Sequence, residues 1–153
     1  MTNGYPGSFP VGFLKYLQGN GWWGEKRAYL CSGAVDDEGT VRVDIRPETK
    51  PTHLEDARHT TLPNDTFDCV IIDPPYSAEL AKRLYDTEQY FSSINAFTKE
   101  GERICLPNGI VISLSYEVPK RLKGSDIIAV VGVYQTISVA HMRALVVWRK
   151  RGN

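Results

Sequence analysis

The chain predicts a mostly parallel α/β sheet closed by an antiparallel hairpin, and three features carry that prediction. Apolar runs rich in β-branched residues, such as Cys69-Val70-Ile71-Ile72 and Ile110 to Ser115, lack the polar alternation of half-exposed strands. Strands buried on both faces of a sheet read this way. A helical stretch, Glu88 to about Ile104, separates those two runs, as in a βαβ unit. Two last apolar runs, Asp126 to Tyr134 and Met142 to Trp148, are linked by Gln135 to His141, which suits a hairpin.

The elements follow in order. Gly4, Pro6, Gly7, Pro10 and Gly12 make the first residues an irregular arm, and a short amphipathic helix over Val11 to Leu17 stops at Gly19-Asn20-Gly21. Arm and helix fill 1–27, the core sheet 28–149, and the 153 residues read as a single domain. Ala28 to Ser32 is the first strand, with Gly33 its exit, and Asp36-Asp37-Glu38-Gly39 is a turn. Val41 to Ile45 is the second strand, with Asp44 at its carboxyl edge. Pro47 and Pro51 punctuate a loop before a weak third strand, His53-Leu54 to Asp56. Leu62-Pro63-Asn64-Asp65 turns into the central strand. Glu79 to Leu84 reads as a short helix, Cys105 closes the longer one, and Pro107-Asn108-Gly109 is a turn. Only about seven residues separate Gly33 from Val41, too few for a crossover helix. The sheet is therefore shortened after its first strand, and a hairpin between the first two strands stays open beside a parallel pairing.

Eighteen basic and eighteen acidic residues cancel. No global field attracts nucleic acid, so such a substrate would need a local basic patch or a partner protein. Cys31, Cys69 and Cys105 are widely spaced and odd in number, which reads as free buried thiols in a reducing cytoplasm. No metal site is expected. No signal peptide is evident and no apolar run nears the ~18 residues of a membrane span. A cytoplasmic protein with no membrane contact is the expectation.

Asp73-Pro74-Pro75-Tyr76 follows directly on the central strand. Two prolines end ladder pairing and fix two φ angles, so the Asp73 carboxylate and the Tyr76 ring are held at the strand's carboxyl end. Ligands bind at that edge in open α/β sheets. Asp44, Asp56 and Asp73 close three successive strands, so parallel order would bring all three into one cleft, beside Ser32-Gly33. An acid and an aromatic ring presented together suit a flat, amino-bearing nucleobase.

From about Ala28 to Trp148 the pattern resembles the class I S-adenosylmethionine-dependent methyltransferases, and more closely those that methylate exocyclic amino groups. Asp73-Pro74-Pro75-Tyr76 matches that group's catalytic tetrapeptide in full, and Leu62-Pro63 and Phe67-Asp68 sit where relatives carry them. The resemblance implies a Rossmann-like methyltransferase sheet and S-adenosylmethionine as cofactor. It implies that Cys31-Ser32-Gly33 approaches the methionine part, that Asp44 takes the ribose, that Asp56, Ala57 and Arg58 contact the adenine, and that Ile45 belongs to the same cofactor site. Asp73 and the Pro74 carbonyl would accept the protons of the substrate amino group, with Tyr76 stacked on the base. N6 of adenine in DNA is the expected target, with N4 of cytosine and RNA open, and a duplex base would have to be flipped out. With no recognition domain in the chain, a separate specificity subunit is a further expectation. A non-catalytic, methyltransferase-like scaffold is the alternative from another class.

Other residues read more blandly. Trp22-Trp23 is packing that caps the sheet, and Tyr85 and Tyr90 belong to core or surface as readily as to the substrate side. His53, His59 and His141 lack metal spacing, and Arg149-Lys150-Arg151 reads as a solvated tail.

Overall fold

The computed structural model describes residues 9–75, 82, 93–134 and 142–152. Seven strands form one sheet: β1 (Arg27–Leu30), β2 (Val41–Asp44), β3 (His53–Leu54), β4 (Phe67–Ile72), β5 (Cys105–Ser115), β6 (Ser125–Val133) and β7 (Arg143–Lys150). Their order is β3-β2-β1-β4-β5-β7-β6. From β3 to β5 every pairing is parallel, and β7 pairs antiparallel with both β5 and β6. Two described helices, α1 (Phe13–Gly19) and α2 (Ile94–Ile104), accompany the sheet.

Alternation along the strands splits the core in two. Val70 and Ile72 of β4 join Leu30, Val43, Phe97 and Ile104 on the α2 face. Cys69 and Ile71 join Phe13, Leu17, Tyr29 and Ile112 on the α1 face. Successive side chains of a strand point to opposite faces, and cover on both faces is why Cys69 to Ile72 reads as an unbroken apolar run. Trp22 and Trp23 pack against the α1-side cluster, and Arg27 lies 4.3 Å from the Trp23 ring centroid.

The open choice between hairpin and parallel pairing resolves as parallel. Ala28, Tyr29 and Leu30 sit opposite Val41, Arg42 and Val43. A four-residue strand is only about 13 Å long, so residues 31–40 suffice to return without a helix. Val35, buried in the α1-side cluster, gives that loop its apolar anchor.

Other boundaries differ from expectation. β1 stops at Leu30 because Cys31 turns to φ 60°. The long helix starts at Ile94, since Ser93 is extended and its hydroxyl accepts from the Asn95 N–H. Its expected first turns, and the helix over Glu79 to Leu84 apart from helical Lys82, lie outside the described residues. Cys105 is at once the C-cap of α2 and the first residue of β5. Pro107-Asn108-Gly109 falls inside β5 as an irregularity: β4 advances from Phe67 to Cys69 while its partner jumps from Cys105 to Ile110. Nor is the basic tail merely solvated. Lys150 Nζ donates to the Glu102 and Cys105 carbonyls at 2.8 and 2.7 Å, tying β7 to the end of α2, where a cation opposes the helix dipole.

A Cβ on Gly109 would meet the backbone oxygens of Leu106 at 2.8 Å and Asp68 at 3.0 Å. Neither can swing aside. Gly109→Ala is expected to cost about 1–3 kcal/mol, read as a Tm drop of several degrees by thermal circular dichroism.

Candidate functional site

The carboxyl ends of β1, β2, β3 and β4 lie in a row, and backbone hydrogen bonds extend the ladder past the strands. Asp73 N–H donates to Leu30 O (3.2 Å), Ser32 N–H to Val43 O (2.9 Å), and Glu55 N–H to Asp44 O (3.1 Å). The three acids are therefore brought to one edge. Their convergence shows on Cys31: burial pushes its thiol well up, the carboxylates of Asp44, Asp73 and Asp56 add to this, and Arg46 opposes. A thiol held neutral in this way is no nucleophile.

Cys31 and Gly33 both take left-handed backbone angles, φ 60° and 51°. Glycine suits such a conformation, whereas a Cβ resists it. The turn aims the Gly33 N–H at Asp44 Oδ2 (2.8 Å). Asp44 is buried, and its Oδ1 also accepts from the Arg46 N–H (2.9 Å) and Nε (3.2 Å). Those contacts compensate a carboxylate withdrawn from water. Ser32 Oγ is buried with no hydrogen-bond partner among the described residues. An orphaned hydroxyl at the exit of β1 suits a polar ligand there.

Asp56 accepts from the Arg58 N–H (2.9 Å) and Nε (2.9 Å). The Arg58 hydrogen bonds, ahead of the opposing effect of burial, hold the Asp56 carboxyl below its ordinary range. Ala57 is buried in the core on the α2 face, and Ile45 is 41% exposed. Pro74 is buried and Pro75 half-buried after Asp73, while Tyr76 lies outside the described residues. Among the described residues no cluster of three or more His, Cys, Asp or Glu is placed to hold a metal ion.

Two clamps were not legible in the sequence. Glu100, buried on α2, accepts from Thr60 N–H (2.8 Å), Thr60 Oγ1 (2.7 Å) and Arg103 Nη2 (2.6 Å), pulling the loop that carries Asp56 onto the helix. Asp37 accepts from Arg27 Nε (3.0 Å), Arg27 Nη2 (3.0 Å) and Tyr29 Oη (2.6 Å), so the β1–β2 loop is tied to β1 itself. Helical spacing from Glu100 to Arg103 was the only local hint, and nothing local links Asp37 to Arg27. Burial disfavours the charged Asp37, but the Arg27 and Tyr29 hydrogen bonds outweigh it and hold the carboxyl below its usual range.

No family model and no curated protein matches the sequence. Solved structures do match in fold. TrmN from Thermus thermophilus aligns with TM-score 0.57 and 16% identity over 90% of this chain, which spans about half of that protein (47%). N-methyltransferase NodS from Bradyrhizobium japonicum aligns with TM-score 0.55 and 11% identity over 91% of this chain and 93% of its own. A SAM-dependent methyltransferase from Methanosarcina mazei gives 0.55 and 11% over 88% and 97%. The chain thus has the Rossmann-like fold of class I S-adenosylmethionine-dependent methyltransferases.

Two outcomes test the local assignments. The folded-state pKa of Asp37 lies below its unfolded value of about 4, so its stabilisation is full above that value and fades as pH falls through the lower one. Urea titrations between pH 7 and 3, run as the difference between wild type and Asp37→Asn, are expected to show that loss; a pH-independent difference contradicts it. Ser32→Ala removes an unsatisfied buried hydroxyl, so the ligand-free protein should be no less stable.

Proposed function

We propose that the protein transfers the methyl group of S-adenosylmethionine to an exocyclic amine of a nucleobase, N6 of adenine in DNA being the leading target. One observation carries this reading. Asp73, fixed by the buried Pro74 and by its own N–H bond to Leu30, closes the central strand beside the converging acids of β2 and β3. In this assignment Ser32 and the Gly33 turn hold the methionine end, Asp44 faces the ribose, and Ile45 and the Asp56–Arg58 loop take the adenine. Arg46 has to yield its place on Asp44 as the ribose arrives, while the Gly33 bond within the turn stays.

The bound cofactor supplies a methyl group on a sulfonium, an electrophile that needs no covalent enzyme intermediate. Asp73 and the Pro74 carbonyl accept the two amine protons, which keeps the nitrogen lone pair out of the ring and directs it at the methyl. Were the methyl to pass to nitrogen, with its bond to sulfur breaking and the neutral thioether S-adenosylhomocysteine leaving, the positive charge arriving on nitrogen would lie against Asp73, whose carboxylate would take the proton. Rate comes from positioning and from a preset negative group. Tyr76 stacks on the base. A separate subunit that selects the target sequence completes the proposal, since the chain's net charge is zero.

A scaffold reading draws on the Arg46 contacts that occupy Asp44 and on the helix-free β1–β2 loop. Calorimetry with S-adenosylhomocysteine separates the two, because a scaffold gives no heat. Asp73→Ala is expected to lower transfer from labelled S-adenosylmethionine by about 10²–10⁴-fold while cofactor binding persists. Retained turnover on single-stranded DNA, duplex DNA and RNA would end the catalytic assignment.

A further inference from the structure

β6 is an outer strand of the sheet and pairs with β7 alone. Among the described residues no hydrogen bond joins its backbone to any other strand or loop. Its outward row of N–H and C=O groups is open, the feature that lets an edge strand accept a further strand. Side chains along it are exposed as well, Ile127 at 45%, Ile128 at 41% and Val130 at 55%. From Ile127 to Met142 the sequence holds no Lys, Arg, Asp, Glu or Pro, the residues that usually blunt such an edge. A register slip falls at Ile128, but Ala129 to Val133 run in unbroken register with β7.

Register places these side chains. Ile127 and Val130 lie opposite Trp148 and Val146, which belong to the α2-side core. Directly opposed residues share a face, so both project on the α2 side. Gly132, opposite Ala144, is on that side too. A Cβ there would meet Met142 Sδ at 2.5 Å, so the exposed Met142 lies over Gly132. α2 itself is seated over the neighbouring strands, its Gly101 against Val70 and Ile72 of β4 and Val111 of β5. Residues 116–124, which join β5 to β6, form no helix. With exposed Tyr134 after Val133, the strip leaves on the order of 500 Å² of apolar surface uncovered, a size that marks an interaction site.

We propose that β6 pairs antiparallel with β6 of a second copy of this chain, giving a two-fold dimer with one continuous sheet. An uncharged strand meets its own copy with no like charges opposed, and equal numbers of basic and acidic residues add no net repulsion. The same lack of charge disfavours a polyanion or a charged peptide there. A two-fold axis normal to the sheet keeps both α2 faces on one side, so Ile127, Val130 and Met142 of the two copies line a single seam. A strand of nine residues is about 30 Å long. Its backbone edge and the apolar strip together approach the ~800 Å² per partner of a standard interface. Pairing closes at two copies, because the opposite edge, β3, is two residues long and follows Pro51. Asp73 ends β4, three strands from the seam, so the inference stands apart from the methyl-transfer reading.

Sedimentation velocity over about a hundredfold range of micromolar concentration tests it. The wild-type chain is expected to pass from monomer to dimer across that range, and amide hydrogen exchange of residues 126–133 to slow as the dimer forms. Val130→Lys and Ile127→Lys set like charges along the seam and should each weaken dimerisation by at least about tenfold, with far-UV circular dichroism unchanged. Val130→Ile should keep the dimer. So should Val11→Lys, at a 90% exposed apolar residue just ahead of α1. A wild-type chain that stays monomeric at every concentration overturns the proposal and leaves the strip to a different partner. Dimers indifferent to both lysines, exchange protection confined to other strands, or growth beyond two copies overturn it as well.

Discussion

Burial of β4 on both faces, with β1 paired parallel to it, is the constraint on which the rest of the molecule depends. Leu30 faces Ile72 at the last rung, so Cys31 and Asp73 leave the sheet side by side. Cys69, Val70, Ile71 and Ile72 are fully buried, and every neighbouring strand takes its height from this pair. Burying a side chain of this size is worth about 1.5–3 kcal/mol. A one-residue slip would exchange the two faces at once. Register is thereby strongly specified, and with it the placement of the strand-end acids.

Around that centre, polar clamps do what a longer crossover would otherwise do. The β1–β2 loop has no helix to hold it, and it is held instead by Asp37 on Arg27 and Tyr29, by buried Val35, and by the Gly33–Asp44 bond. On the other face Glu100 fastens the Asp56 loop to α2 through Thr60. Each clamp joins a loop that carries a site residue to an element of the core. A partly buried charge is tolerated here because every one has donors or acceptors facing it.

The edge that results has two chemistries. On the β1–β4 side, carboxylates gather about a neutral thiol and an orphaned hydroxyl, with Arg46 on Asp44 and Arg58 on Asp56. On the β5–β6 side, exposed Tyr116, Tyr134 and Met142 adjoin the strand ends. Asp73, at the end of β4, lies where the two halves meet.

The sequence by itself determined the class of fold, the closing antiparallel strands and the position of Asp73, because apolar runs and a proline pair act locally. It also made the parallel convergence of Asp44, Asp56 and Asp73 readable as soon as strand order was assumed. Only the tertiary structure decided that β1 and β2 run parallel across a short loop, that Ser93 and not Glu88 opens the described part of α2, and that Pro107-Asn108-Gly109 bulges within β5. It alone placed Glu100 under Thr60 and Asp37 against Arg27. The division has a physical cause. Strand and turn preferences are properties of neighbouring residues, whereas a clamp exists only after residues far apart in the chain have been packed into register.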